Sequence, residues 1–327
     1  MDWHGKSVLV TGAGGFIGSQ LTERLVEEGA KTKAFIHYNS AGSWGHLGGS
    51  SYQDEIEMIA GDITDRDSIR AAMKNTDIVF HLAALIAIPY SYTAPSSYVR
   101  TNIDGTLNIL QSALELDVEQ LVQTSSSEVY GTARYVPIDE NHPLQGQSPY
   151  SATKIAADKL AEAFHGSYGL PVSTIRPFNA FGPRQSNRAI IPTIISQAMN
   201  EPEIHLGSLW PTRDFNYVSN TVDGFLAVAG SKKSIGEAIN IGTGKETSIG
   251  DLAGYILRAV GVDKPVVAAD ERVRPEGSEV GQLLADISKA KNLLDWTPQI
   301  DLEEGLALTI DWIRNNLESY RTDAYVV

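Results

Sequence analysis

The stretch Val8–Ser19, VLVTGAGGFIGS, joins an apolar strand to an amphipathic helix through three glycines at spacings of three. Gly12 allows a tight turn, Gly15 lets backbone approach a bound pyrophosphate, and Gly18 permits close packing of the helix. The helix N-terminus would face the phosphates. A purely structural turn is the alternative, but a strand before and a helix after the glycines favour dinucleotide binding. The predicted cofactor contacts of this turn are Gly12, Gly15, Phe16, Ile17 and Gly18.

The residues that follow repeat the strand-helix pattern through the first half of the chain. Short apolar runs such as KAFI, EMIAG, DIVFHLAA and QLVQTS alternate with helical patterns. This alternation predicts βαβ units, and continuous hydrophobicity predicts strands that are buried on both faces. We therefore expect a Rossmann-type α/β fold with a doubly wound parallel sheet, in which residues 1–176 form a dinucleotide-binding domain.

After residue 177 the chain becomes richer in loops with Gly, Pro, Asn and Arg. Helical patterns recur near residues 190–199, 249–260 and 302–316. This change predicts a smaller C-terminal α/β substrate domain over residues 177–327, with some later segments returning to the first domain. Ligands of doubly wound sheets bind at the carboxyl ends of the strands, so the site should lie in the cleft between the domains.

Composition limits the classes of function. A net charge of −14 argues against nucleic acid as a partner. The 327 residues include no cysteine, which excludes disulfides and thiolate metal sites. No stretch approaches the run of about 18 apolar residues that a membrane span needs. We expect a cytoplasmic protein without a metal site and without a membrane or nucleic acid partner.

The end of the second predicted strand, AFIHYNSAG, bears on which dinucleotide binds. An acid about 20 residues after the glycines normally holds the adenosine ribose of NAD. Here His37, Asn39 and Ser40 occupy this region and no carboxylate is present. A 2′-phosphate is therefore not repelled, so both NAD and NADP remain open. The ends of the third and fourth strands add the expected cofactor contacts Asp62, Ile63, Leu82, Ala83 and Ala84.

A second motif, YSATK, follows the fifth predicted strand. Tyr150 and Lys154 are four residues apart on a predicted helix and share one face. An ammonium beside a phenol lowers the phenol's pKa from about 10 and makes it a usable base. Ser126, in TSSSEVYG at the strand end, can hydrogen-bond the same substrate hydroxyl. We predict Ser126, Tyr150 and Lys154 as catalytic, with Tyr150 and Lys154 also contacting the cofactor.

Several motifs together carry a resemblance to a known family. They are TGxxGxxG, GDI, HLAA, SSEVYG, YSATK, RPFNAFGPR, RDFNYV, RPEGSEV and LLDWTPQIDLEEGL. Over essentially its whole length the chain resembles the extended short-chain dehydrogenases/reductases that act on nucleotide sugars. A Glu directly before VYG is similar to the 4,6-dehydratases. ALIAIPYSY and LGSLWPTRDFNYV are similar to the bacterial NDP-N-acetylglucosamine 4,6-dehydratases of legionaminic-acid-like pathways.

The resemblance implies a fixed order of steps. Tyr150 would take the O4 proton while the C4 hydride moves to the cofactor, and the C4 ketone then makes the C5 proton acidic. Glu128 would remove that proton as water leaves from C6, and the hydride would return to C6. NAD or NADP would stay tightly bound and be regenerated in each turnover. Some 4,6-dehydratases have an Asp before the Glu where this chain has Ser127, so either Glu128 supplies the acid or Ser127 relays a proton.

The substrate end is also implied by the resemblance. Asn179, Arg213 and Arg274 match positions that hold sugar and diphosphate, and the planar fork of a guanidinium suits a diphosphate. The base, uridine or guanosine, stays undecided. The resemblance further implies a homodimer built on helices near residues 98–116 and 150–168.

Three other functions stay open. UDP-glucuronate decarboxylases resemble the chain at SEVYG, but they need a cation beside C6, and the predicted loop 85–93, LIAIPYSYT, has none. An arginine from the second domain would reverse this argument. A 4-epimerase needs no base at C5. A dinucleotide-sensing binding module has no reason to keep Ser126, Tyr150 and Lys154 together.

Overall fold

The computed structural model describes residues 1–269, 272–273 and 275–320. The strands are β1 Ser7–Thr11, β2 Lys31–His37, β3 Glu57–Gly61, β4 Ile78–His81, β5 Gln120–Thr124, β6 Val172–Pro177, β7 Ala180–Phe181, β8 Ile204–Leu206, β9 Thr212–Arg213, β10 Asn216–Tyr217, β11 Ala238–Ile241, β12 Thr247–Ser248, β13 Val266–Ala268 and β14 Gln282–Leu283. The α-helices are α1 Phe16–Glu27, α2 Arg66–Ala72, α3 Ile88–Thr93, α4 Pro95–Tyr98, α5 Gly105–Glu115, α6 Pro149–Tyr168, α7 Ile190–Asn200, α8 Val218–Ala229, α9 Ile249–Val260, α10 Ser288–Leu294 and α11 Leu302–Asn315.

Seven strands form one parallel sheet in the order β11-β6-β5-β4-β1-β2-β3. Helices cover both faces, so the predicted doubly wound α/β fold is confirmed. Thr11 at the end of β1 pairs with His81 at the end of β4, and His81 pairs with Gln123 near the end of β5. This register brings the motifs after these strands to one edge of the sheet.

The central strands are apolar at consecutive positions because each face of the sheet has its own core. In β1, Val8 and Val10 belong to one buried apolar cluster, whereas Leu9 belongs to another. In β4, Phe80 and Val79 divide in the same way. Successive strand side chains point to opposite faces, so a sheet covered on both sides needs apolar residues at both parities.

The second half of the chain adds small sheets and a helical layer. The pairings are β10 with β7, β13 with β8, and β9 between β12 and β14. Helices α7, α9 and α11 pack on one another. Their buried residues, such as Ile194, Leu252 and Ile310, belong to the same apolar cluster as Val8 of the large sheet. This continuous core fixes the second half against the first, and β11 from the second half completes the large sheet.

The structure differs from the sequence expectations in three places. The helix expected over residues 98–116 contains a π-helical turn, Val99–Asp104, before α5. The segment expected to be a loop at residues 85–93 contains helix α3, with a proline in its first turn. Helix α8 was not predicted, although its buried positions such as Val218, Val222 and Phe225 recur at helical spacing.

Candidate active site

The glycine turn has close backbone approaches at two of its three glycines. Gly12 has a φ of +71°, and a Cβ there would lie 2.8 Å from the backbone nitrogen of Ala83. A Cβ at Gly18 would lie 2.2 Å from the carbonyl oxygen of Gly12. At Gly15, which is the N-cap of α1, no side chain caps the helix. Phe16 and Ile17 open the helix, so the turn presents backbone rather than side chains, as a phosphate cradle requires.

Thr11 and His81 hold the end of β4 against this turn. His81 is buried, with Nδ1 2.8 Å from Thr11 Oγ1 and Nε2 3.2 Å from Thr106 Oγ1. Thr11 Oγ1 accepts hydrogen bonds from the backbone of Leu82 and Ala83. Burial lowers the pKa of His81 to about 3, so the ring is neutral at working pH. The expected contacts Leu82, Ala83 and Ala84 therefore lie directly beside the glycines.

The loop after β2 carries the expected cofactor residues Asn39 and Ser40, and it also brings in Trp44, which the sequence did not single out. The Asn39 side chain donates to Ser43 O at 2.8 Å and accepts from Ser43 N at 2.9 Å. This closed loop carries Trp44 over the glycine turn, where the Trp44 carbonyl would lie 2.9 Å from a Cβ at Gly14. Asn39 thus shapes the loop, and Ser40 is exposed beside it.

Asp62 brings to the end of β2 the carboxylate that β2 itself lacks. Asp62 Oδ2 lies 3.9 Å from Nδ1 of His37. Asp62 Oδ1 accepts from Thr64, and the next residue, Ile63, is buried against Gly105 of α5. An acid therefore stands near the expected ribose end, although it comes from the neighbouring strand.

The end of β5 is joined to three successive turns of α6. Thr124 O accepts from Lys154 Nζ at 2.5 Å, and Ser125 Oγ donates to Asp158 Oδ2 at 2.8 Å. Ser126 Oγ accepts from the backbone nitrogen of Glu128 at 3.2 Å, and as a hydrogen-bonding group it lowers the pKa of the Tyr150 hydroxyl. Helix α6 begins with a capping box at Ser148 and a proline at its first position, which fixes where Tyr150 and Lys154 fall.

Tyr150, Lys154 and Glu128 form one buried group. Their relative exposures are 6%, 5% and 9%. Burial raises the pKa of Tyr150 well above its usual value; the Ser126 hydrogen bond lowers it, and the negative charge of Glu128 raises it. Burial lowers the pKa of Lys154 to about 8. Glu128 lies in a short 3-10 turn, Ser127–Tyr130, where both Glu128 and Ser127 are buried rather than in bulk solvent.

Two of the three expected substrate residues, Asn179 and Arg213, lie within the described residues. Asn179 follows β6, and its side-chain oxygen is buried without a hydrogen-bond partner in the part of the chain that the structure describes. Arg213 is buried in β9, with Nη2 3.7 Å from Glu279 Oε1. Arg274 lies outside the described residues. The Tyr92 hydroxyl of α3 contacts Ser278 Oγ, which links α3 to the segment after β13.

Two arginines of the second half serve internal ion pairs. Arg176 of β6 lies 3.1 Å from Asp158, and Arg184 lies 2.8 Å from Glu23 of α1. The Asn220 side chain of α8 donates to Ile300 O and accepts from the backbone nitrogens of residues 299 and 300. These contacts between distant segments have no local sequence signal.

Metal-ligand clusters and membrane-spanning helices are absent from the described residues. No group of three or more His, Asp or Glu side chains is arranged to hold a metal ion within residues 1–269, 272–273 and 275–320. In those same ranges, helices of the length and apolar character needed to cross a bilayer do not occur.

A glycine turn at the edge of a seven-stranded parallel sheet, with half-buried Ser126 and buried Tyr150 and Lys154 after the fifth strand, defines an extended short-chain dehydrogenase/reductase. A sequence model of the family described as GDP-mannose 4,6 dehydratase matches residues 9–309. The chain belongs to this family.

Its relatives carry out more than one reaction. A UDP-glucose 4-epimerase of Mycolicibacterium smegmatis is 35% identical over 94% of this chain and 98% of its own length. A dTDP-glucose 4,6-dehydratase of Streptomyces antibioticus is 34% identical over 95% of this chain and 93% of its own. The crystal structure of a dTDP-glucose 4,6-dehydratase from Streptomyces venezuelae, with NAD bound, superposes with a TM-score of 0.89 at 28% identity, and covers 95% of this chain and 98% of that one. The chain is thus a homologue of NAD-binding nucleotide-sugar dehydratases and epimerases.

Proposed function

We propose that the protein is a nucleotide-sugar 4,6-dehydratase, acting on UDP- or GDP-N-acetylglucosamine in the cytoplasm as a homodimer. The observation that carries this proposal is the buried carboxylate of Glu128, which lies close enough to Tyr150 to raise its pKa. An epimerase that only oxidises and reduces C4 needs no second base there. Elimination of water from C5 and C6 does need one.

The cofactor site is assigned to the glycine turn and the strand ends beside it. The residues fit a dinucleotide because the turn presents backbone at Gly12 and Gly15, next to Ala83. We propose NAD, because Asp62 places a carboxylate near the end of β2, where it would oppose a 2′-phosphate. When bound, the nicotinamide would supply the oxidation at C4 and return the same hydride to C6.

The residues of the chain would then move the protons. Tyr150, with Lys154 charged beside it, takes the O4 proton. Glu128 takes the C5 proton, and that proton leaves with the C6 hydroxyl as water. Ser127 is close enough in sequence to relay it, as an alternative to direct transfer from Glu128. C5 is finally reprotonated, and the proton that it receives balances the proton that O4 lost. The net change is therefore the loss of one water.

The substrate would lie between Tyr150 and the second half of the chain. Asn179 offers a buried, unpartnered amide oxygen to a sugar hydroxyl or amide. Arg213 would exchange its contact with Glu279 for the diphosphate. We keep Arg274 in this role from the sequence resemblance alone.

The first experiment follows the mass of nucleotide sugars incubated with the purified protein. UDP- and GDP-linked N-acetylglucosamine, glucose, glucuronate and mannose should be compared. Loss of one water supports the proposal, loss of carbon dioxide identifies a decarboxylase, and an isomer of equal mass identifies an epimerase.

The second experiment tests Glu128 itself. Glu128→Gln should bind cofactor and substrate and still transfer the C4 hydride in a single turnover, but release no 4-keto-6-deoxy product. Glu162→Gln, an exposed acid-to-amide change on α6, is the matched control and should turn over normally. Normal dehydration by Glu128→Gln would remove the assignment.

One observation favours a second candidate, a reaction on a sugar acid. Arg188 is exposed in the segment after β7, and its charge lowers the pKa of Tyr98, which burial raises. The Tyr98 ring packs edge-on against Tyr150, with centroids 6.4 Å apart. A cation thus reaches the neighbourhood of the site from the second half of the chain. If Arg188→Gln weakens binding of UDP-glucuronate but not UDP-N-acetylglucosamine, the decarboxylase or uronate epimerase is favoured.

A further inference from the structure

A buried group of charges lies behind the Tyr150 and Lys154 pair. Asp158 is one helical turn beyond Lys154 on α6 and is 4% exposed. Its Oδ2 accepts from Ser125 Oγ at 2.8 Å and from Arg176 at 3.1 Å through Nη2 and 3.2 Å through Nε. Its Oδ1 is buried and has no hydrogen-bond partner among the described residues. Nothing in the proposed chemistry uses this acid directly.

The groups that contact Asp158 favour its ionised form. Burial raises the pKa of Asp158, and Arg176, Ser125 and Lys154 oppose that rise. A protonated Asp158 would leave the guanidinium of Arg176, itself 6% exposed, without a counter-charge. Arg176 also donates to the Tyr130 hydroxyl at 2.9 Å, and Tyr130 donates to Asn240 at 2.7 Å. The carboxylate is therefore held in one position by fixed donors.

We propose that Asp158 is a positioning residue that keeps Lys154 protonated, and so keeps Tyr150 usable as a base. Asp158 and Lys154 make no direct ion pair in the structure; instead Lys154 Nζ donates to Thr124 O. Ser125 and Arg176 hydrogen-bond the Asp158 carboxylate and keep it in place. Its negative charge therefore stabilises the Lys154 ammonium without forming an ion pair that would draw the ammonium away from Tyr150. This proposal depends on the proposed function in one respect, which is that the enzyme oxidises C4 of its substrate.

The other charged groups around Lys154 cannot take this role. His81 on β4 is neutral, because burial lowers its pKa to about 3. Arg176 on β6 is a cation that opposes a charged lysine. The negative charges of Glu128, on the turn after β5, and of Asp158 both raise the pKa of Tyr150, so the two acids differ in their effect on Lys154. Asp158 is the acid that raises the pKa of Lys154, against the burial that lowers it.

The test is the pH dependence of C4 oxidation in Asp158→Asn. Oxidation is followed in a single turnover by nicotinamide absorbance, with nucleotide sugar in excess. Without Asp158 the alkaline limb of the rate profile should move toward lower pH by about one unit. Asp158→Glu restores the charge and should bring the limb back toward the wild-type position. A uniform loss of rate with an unmoved midpoint would show a merely structural role and overturn the proposal.

A second pair of variants covers the risk that Asp158→Asn fails to fold with Arg176 unpaired. Asp158→Asn with Arg176→Gln removes both charges, and its alkaline limb should lie at lower pH than that of Arg176→Gln alone, because both variants lack the cation that opposes a charged Lys154; equal midpoints in these two variants overturn the proposal. In a Lys154→Met background, adding Asp158→Asn should leave the residual pH profile unchanged, because the coupled partner is gone. A further displacement there would mean that Asp158 acts on another group.

These outcomes are distinct from failure of the dehydratase assignment. Dehydratases, decarboxylases and 4-epimerases of nucleotide sugars share oxidation at C4. An enzyme that oxidises C4 without releasing water would therefore refute the role of Glu128 and leave the Asp158 test in force.

Discussion

Replacing Lys154 with methionine should stabilise the fold at neutral pH while strongly slowing, but not abolishing, oxidation at C4. The side chain is 5% exposed, and burial lowers its pKa from 10.5 to about 8. This lowering corresponds to about 3 kcal/mol of unfavourable free energy for holding a buried ammonium. Methionine removes that cost but leaves Thr124 O without its donor, which costs about 1–3 kcal/mol. We expect a net gain of roughly 1 kcal/mol.

The gain should reverse its sign in alkaline solution. The folded wild type releases the Lys154 proton near pH 8, whereas the unfolded chain keeps it until about pH 10.5. The unfolded state then binds more protons, so this group makes the wild type more stable as pH rises through that window. Lys154→Met lacks this rise in stability with pH and retains only the cost of the lost hydrogen bond to Thr124 O. It should therefore be less stable than the wild type near pH 10.

The assay is urea unfolding followed by tryptophan fluorescence, with midpoints and slopes compared from neutral pH to about pH 10. Lys159→Met, on the same helix, is the control. That lysine's side chain is 60% exposed and pairs with Glu162 at the surface, so the control should differ little from wild type at any pH. A Lys154→Met protein whose stability difference stays constant with pH would refute the reasoning.

Three further outcomes are expected. His81→Gln should reduce the loss of stability that the wild type shows as pH falls. Between pH 6.5 and 3 the unfolded chain protonates this histidine while the folded chain keeps it buried and neutral, which costs the wild type up to about 5 kcal/mol. Urea unfolding over this pH range checks the prediction, and an unchanged dependence of stability on pH contradicts it. Gly18→Ala should weaken NADH binding at least tenfold in calorimetry, because its Cβ would lie 2.2 Å from Gly12 O. Gly166→Ala, the same change at an exposed α6 position with nothing within 4 Å, should bind NADH normally and gain up to about 1 kcal/mol.

The sequence by itself determined the features that depend on neighbouring residues. A strand, a glycine turn and a helix are successive in the chain, so the turn at Gly12 could be predicted from spacing alone. Tyr150 and Lys154 share a helix face for the same reason. Helix α9 has the predicted bounds, Ile249–Val260, because a serine N-cap and a left-handed glycine C-cap mark its ends.

Only the tertiary structure decided which distant charges meet. Asp158 and Arg176 lie on different elements, and no spacing rule joins them. Asp62 reaches His37 from the neighbouring strand, and Glu279 reaches Arg213 from a segment that follows β13. Local sequence sets torsion angles and periodicity, whereas the partners of a buried charge depend on how the sheet and its helices pack in space.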